Sequence, residues 1–111
     1  MDPVQFSRVA KALADPRRFE ILEMIAAVDE APCKRMVEQL PVSQATISHH
    51  LKELATAGLI EARREGQCGH YRACPEVLAA YTAELERRLR PRLLAAALAG
   101  APTPAVALAS D

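Results

Sequence analysis

Three groups of side chains in this sequence could do chemistry, and each suggests a different kind. His49 and His50 are adjacent imidazoles, fit in type to hold a metal or move a proton. Cys33, Cys68 and Cys74 are thiols, open to redox or soft-metal chemistry. Ser43, Gln44, Ala45, Thr46 and Ser48 fill the stretch VSQATISHHLK with short hydroxyl and amide groups. Adjacent helical positions point about 100° apart, so the two imidazoles do not easily share one ion. There is no glycine-rich phosphate loop, nucleophile elbow or carboxylate pair suited to a cleft, so no enzyme is expected. Glu84 and Glu86 flank Arg87 and Arg88 and read as a solvated helix face. Hydroxyls and amides that match the donors and acceptors of DNA base edges are a third chemistry. It needs a helix held out from a protein surface.

The 111 residues suffice for one domain with a modest core. Alanine and leucine dominate, which favours helix. Fourteen basic and fourteen acidic side chains cancel, which weighs mildly against a nucleic-acid binder. No uncharged apolar run is long enough to span a bilayer, so no membrane partner is expected. The start, MDPVQFSRVAKAL, lacks the order of a signal peptide. A cytoplasmic protein with reduced cysteines is the expectation. An odd number of irregularly spaced cysteines also argues against a disulfide scaffold.

Helices come next. Asp2-Pro3 and Asp15-Pro16 repeat one start signal, an Asp cap before a Pro at the first helical position. Phe6, Val9, Ala10 and Leu13 recur at helical spacing after the first. Phe19, Leu22, Ile25 and Ala26 do so after the second, with Ile21 widening the stripe. Asp29 to Pro32 reads as a loop. Lys34 to Leu40 is a short third helix burying Met36, Val37 and Leu40 and stopped by Pro41. Ser43 caps the fourth helix, whose Ile47, Leu51 and Leu54 fall within roughly 60° of each other. Ala45, Thr46, His49, Lys52 and Glu53 occupy its opposite half. Gly58 suits its end.

Leu59 to Arg64 and His70 to Ala73 read as two strands of a hairpin around Glu65 to Gly69. A long last helix from Pro75 carries Leu78, Tyr81, Leu85 and Leu89 on one face, and Pro91 should kink or break it. Residues 1–98 then form the domain, and 99–111 read as a disordered tail. The stripes Phe6, Val9, Leu13 and Leu78, Tyr81, Leu85, Leu89 are too apolar for lone surface helices. Burial across a twofold axis would satisfy both, so a homodimer is expected.

Only Pro41 and Val42 join the third and fourth helices, as in a helix-turn-helix, and the hairpin behind them reads as a wing. The expected fold is mostly α, a winged helix-turn-helix of about five helices plus a two-stranded hairpin. In such a unit the second helix enters the major groove and its first residues touch base edges. Ser43, Gln44, Ala45, Thr46 and Ser48 fit that role. His49 faces outward one turn on, and Lys52 reaches toward phosphate. Arg63, Arg64 and Gln67 in the wing suit backbone or minor-groove contacts.

Three segments, LADPRRFEIL, SQATISHHLKELATAGLI and RREGQCGHYRA, resemble the ArsR/SmtB family of winged helix-turn-helix transcriptional repressors. The likeness runs from about Phe6 to Leu89. It implies a homodimer whose first and last helices pair, bound to a double-stranded operator. It also implies release when a metal, metalloid or oxidant engages cysteines or histidines. His50 and Arg18 match positions that the family uses structurally. Two of the family's sensing motifs are missing. APCKRM holds Cys33 alone where a Cys-x-Cys pair would stand, and no histidine follows His70 to supply the last helix's ligands. No metal or other cofactor is therefore expected, and the inducer is an unassigned small species.

Cys33 and Cys74 sit at predicted helix N-termini, where the helix dipole favours thiolate. In a winged fold the loop before the third helix commonly runs beside the hairpin base. The two are thus expected to be neighbours and are the candidate sensing thiols, for an oxidant, a sulfur species or a soft metalloid. Each reads equally well as a small inert hydrophobe. Cys68 lies up to roughly 20 Å from Cys74 along the strand, too far to complete a three-thiolate site. A different class of function is a protein-interaction module that kept the fold and lost the operator. The balanced charge permits it; the intact SQATIS segment argues against it.

Overall fold

The computed structural model describes residues 1–65 and 68–100. Gln67 and most of the expected tail, residues 101–111, lie outside the described residues. Among the described residues, five helices and three short strands follow in the order α1 (Pro3–Ala14), α2 (Pro16–Ala26), β1 (Ala31–Pro32), α3 (Cys33–Gln39), α4 (Gln44–Thr56), β2 (Ile60–Glu65), β3 (Cys68–Ala73) and α5 (Pro75–Leu98). No helix among the described residues is long and apolar enough to cross a membrane.

The two Asp-Pro starts differ in detail. The Asp15 carboxylate accepts from the Arg18 N–H at 2.9 Å, a side-chain cap that satisfies one of the open donors at the start of α2. Asp2 makes no such bond; only its carbonyl joins the helix, accepting from the Phe6 N–H at 2.9 Å.

The core gathers Val9 and Ala12 of α1, Ile21 and Ile25 of α2, Met36 of α3, and Ile47, Leu51 and Leu54 of α4. Each large side chain fully removed from water contributes about 1.5–3 kcal/mol, so α4 is anchored from beneath by three of them. The stripe expected on α2 is rotated. Ile21 and Ile25 are its fully buried pair, whereas Phe19 is 43% exposed and Ala26 also faces outward. Phe19 and Ile21 stand about 200° apart on a helix, so a helix that buries Ile21 against the core turns Phe19 away.

Two expectations are corrected here. Asp29 to Pro32 is not wholly loop, because Ala31 and Pro32 form β1 and pair antiparallel with Tyr71 and His70. The hairpin is thereby widened to a three-stranded sheet in the order β1-β3-β2. A proline is tolerated in β1 because it is an edge strand. Two residues carry no alternation for a sequence reading to detect. The second correction concerns Pro91, which does not break α5; the helix runs on to Leu98.

The end of α4 follows the sequence signal. Gly58 has φ of +84°, and the N–H groups of Gly58 and Leu59 return to the carbonyls of Ala55 and Leu54, both at 3.0 Å. This closure satisfies carbonyls that a helix end leaves open. It turns the chain at once into β2, so the wing starts at a fixed angle from α4. The strands extend Ile60–Glu65 and Cys68–Ala73, reaching nearer the hairpin tip than the sequence pattern suggests.

Candidate nucleic-acid interface

Helix α4 starts on a Ser43 cap, with Oγ accepting from the Thr46 N–H at 3.1 Å and lying 2.9 Å from the Thr46 hydroxyl. Its inner side is closed: Ile47, Leu51 and Leu54 are buried, and His50 is buried with them at 7% exposure. His50 Nδ1 accepts from Arg18 Nε at 3.3 Å. His50 and Arg18 thus tie α4 to α2. The outer side carries Ser43, Gln44, Ala45, Thr46, Ser48, His49 and Lys52, all exposed. The ring centres of His49 and His50 stand 6.0 Å apart, one outside and one inside the fold.

Strand alternation gives the wing two faces. Arg63 lies opposite His70 and Arg64 opposite Gly69 in the β2–β3 register, and successive side chains point to opposite sides. Arg63 and Arg64 therefore cannot face the same way. Arg64 looks toward α4, where a groove of about 400 Å³ is bordered by Gln44, Ser48 and Lys52 on the helix and by Ala62, Arg64 and Tyr71 on the wing. Burial pushes the Tyr71 phenol above its usual value, and the Cys33 thiol adds to this. Arg63 points to the other face and is held there by Glu30. The guanidinium keeps the Glu30 carboxyl below the usual carboxylate range.

A helix packed on one side, bare on the other and flanked by a wing is a surface shaped for a DNA groove, and known proteins carry the same unit. A helix-turn-helix domain family matches residues 13–63. The arsenical resistance operon repressor of Staphylococcus xylosus is 34% identical over 74 residues, spanning 67% of this chain and 70% of that protein. An uncharacterized HTH-type transcriptional regulator of Methanocaldococcus jannaschii is 37% identical over 65 residues, 59% of this chain and 73% of its own length. The chain belongs to the ArsR family of winged helix-turn-helix transcriptional regulators. Solved ArsR-family structures agree. An ArsR-like regulator from Rhodococcus superposes with a TM-score of 0.71 at 29% identity, covering 90% of this chain and 96% of that one. A homodimeric winged helix-turn-helix DNA-binding domain from Mycobacterium bovis gives a TM-score of 0.61 at 34% identity over 73% of this chain and 75% of that one. The ArsR family is one of DNA-binding regulators, not of enzymes.

ArsR-family membership directs attention to the thiols, and here the expected pairing fails. Pro32, next to Cys33, lies opposite His70, and His70 precedes Cys74 by four residues, about 13 Å along a strand. Disulfide partners need Cα atoms within roughly 7 Å. Cys33 borders the groove beside α4, whereas Cys74 lines a separate apolar cavity with Leu22, Leu59 and Leu78. Neither is in a disulfide. Nor is the Cys74 thiol poised by its helix: burial pushes its pKa up, and Glu61 and Glu76 push the same way. Among the described residues no three His, Cys, Asp or Glu side chains gather as a metal site.

The expected dimerisation residues divide into two groups. Leu78, Leu85 and Leu89 are 44%, 36% and 53% exposed along α5. Phe6 and Tyr81 are half-buried against each other with ring centres 5.0 Å apart, and Arg88 caps the Phe6 ring at 4.1 Å. Leu13 is half-buried against the core. Val9 is the exception: it is wholly buried within the subunit and has no surface to offer a partner. Glu84, read from the sequence as part of a solvated face, is buried at 8% exposure. Arg87 donates to its carboxylate from Nε at 2.7 Å and from Nη2 at 3.1 Å, and holds its pKa down. Sequence reasoning missed Glu30 and Tyr71. Alternation could have put Tyr71 on the face of Arg64, but Glu30 becomes visible only once β1 is known to pair.

Proposed function

We propose that this ArsR-family chain is a sequence-specific repressor that binds an operator of two half-sites as a homodimer and is released by an inducer. One observation carries the reading: α4 buries Ile47, His50, Leu51 and Leu54 and turns every short polar side chain of its first two turns outward. Gln44 and Ser48 meet base edges, while Lys52 and Arg64 flank the same groove as cations for phosphate. The exposed leucines of α5 supply the dimer surface, and the Mycobacterium bovis domain is a precedent for a homodimer of this shape. Residues 1–98 form the whole DNA-binding and dimerisation unit in this reading, with a cytoplasmic location. The inducer stays an unassigned small species, because Cys33 and Cys74 border separate cavities and no three His, Cys, Asp or Glu side chains gather among the described residues.

Selection from random duplexes tests the reading. A dimer reading two half-sites should recover a two-fold related consensus. Gln44→Ala should relax preference at one position per half-site, since a bidentate amide–adenine contact is worth about 1–3 kcal/mol of discrimination. Recovery of no consensus from the wild type would point instead to an interaction module built on the same fold.

A further inference from the structure

Two arginines on the outer face of the wing are paired with carboxylates. Glu61 lies directly across from Arg72, and Arg72 Nη2 meets its carboxylate at 2.7 Å. Arg63 stands two residues nearer the tip on the same face. One of its partners comes from outside the hairpin: Glu30, the residue before β1, accepts from Arg63 Nε at 3.1 Å through one oxygen and from Nη2 through the other. Such two-pronged arginine–carboxylate pairing is geometrically matched and directional. It is possible here only because β1 lies against β3, which brings the α2–α3 loop alongside the wing. Arg63 is therefore turned from the α4 side by strand alternation and held on the far side by an acid.

We infer that Glu30 is a specificity-determining residue of the DNA-binding surface, acting by holding Arg63 off the DNA backbone. The inference rests on α4 and the wing being the DNA-binding face. A wing cation free to meet phosphate adds affinity for every sequence alike, because phosphate contacts carry no base information. Holding Arg63 on Glu30 leaves Arg64 and Lys52 as the cations beside the reading helix and keeps random DNA weakly bound. The ratio of operator to random-duplex affinity is thereby kept high.

Salt titration of the full chain on its selected operator and on a random duplex tests this. Each phosphate contact contributes about 0.9 to the slope of log affinity against log salt. Arg63→Gln should leave the wild-type slope unchanged. Glu30→Gln should steepen it by about one unit per subunit, tighten random-duplex binding and lower the operator-to-random ratio. In an Arg63→Gln background, Glu30→Gln should do nothing, which separates release of Arg63 from a mere change in net charge. A flatter slope in Arg63→Gln, an unaltered slope in Glu30→Gln, or an equal effect of Glu30→Gln without Arg63 would each overturn the inference. A wild-type chain with no salt-dependent DNA binding would overturn the proposed function along with it.

Discussion

Arg18 and His50 share one hydrogen bond, from Nε to Nδ1 at 3.3 Å, and it decides where the imidazole carries its proton. A guanidinium only donates, so Nδ1 must accept and stay bare. Acid would place a proton there, beside Arg18, on a ring that is already out of water.

That bond gives a pH prediction. Burial lowers the His50 pKa from its usual 6.5; Arg18, His49 and Arg17 lower it further, and the Asp15 carboxylate opposes them. A base with a depressed folded pKa binds fewer protons folded than unfolded. Its contribution is complete above the unfolded value near 6.5 and is lost as pH falls below that toward the folded value. Thermal melts should therefore show Tm declining between pH 7 and 5.5. His50→Gln keeps an acceptor for Arg18 but cannot titrate, so it should flatten that decline. Parallel profiles for the two proteins would remove His50 as the cause.

Leu85→Asp tests the α5 surface. The residue is 36% exposed between Leu78 and Leu89, so a charge there should spare the subunit fold and split the dimer. Sedimentation should show a monomer with weaker operator binding. A dimer unaffected by this change would place the interface elsewhere.

Arg64→Ala should behave unlike Gln44→Ala. Loss of one phosphate contact weakens all sequences and flattens the salt slope by about one unit per subunit. The recovered consensus should stay that of the wild type. A changed consensus would mean that Arg64 reads bases.

Gly58→Ala should destabilise the chain by about 1–2 kcal/mol, because a side chain at positive φ is strained. An added Cβ would also lie 2.9 Å from the Gln5 amide nitrogen. That amide donates to the Ala57 carbonyl at 3.3 Å and would have to move away. The expected fall in Tm is roughly 4–8 °C for each kcal/mol. No change in Tm would show that the α4 terminus relaxes freely.

What could be read from the sequence was local. The Ser43 cap, the Ile47–Leu51–Leu54 stripe and the Gly58 stop depend on residues within a few positions of one another, and spacing reveals them. The outward set on α4 followed from the same count. Phe19 was misassigned because an apolar stripe can be drawn at more than one angle on α2, and only packing against α4 and β3 selects Ile21 and Ile25. β1 was missed since two residues have no period. That omission propagated: without the β1–β3 register, Glu30 had no visible partner, and Cys33 and Cys74 could be imagined side by side. Arg63 and Arg64 were grouped by type and proximity, whereas the pleat sends them to opposite faces.

The two tyrosines have a consequence of another kind. The chain contains no tryptophan. Tyr71 borders the groove beside α4, and Tyr81 stacks on Phe6 next to the exposed leucines of α5. Each phenol is thus stationed at one of the two surfaces where the protein is expected to meet another molecule. Its ultraviolet emission is a built-in reporter with two separable channels. Tyr81→Phe would leave light that responds to the duplex, and Tyr71→Phe light that responds to the second subunit, with no dye attached to either surface.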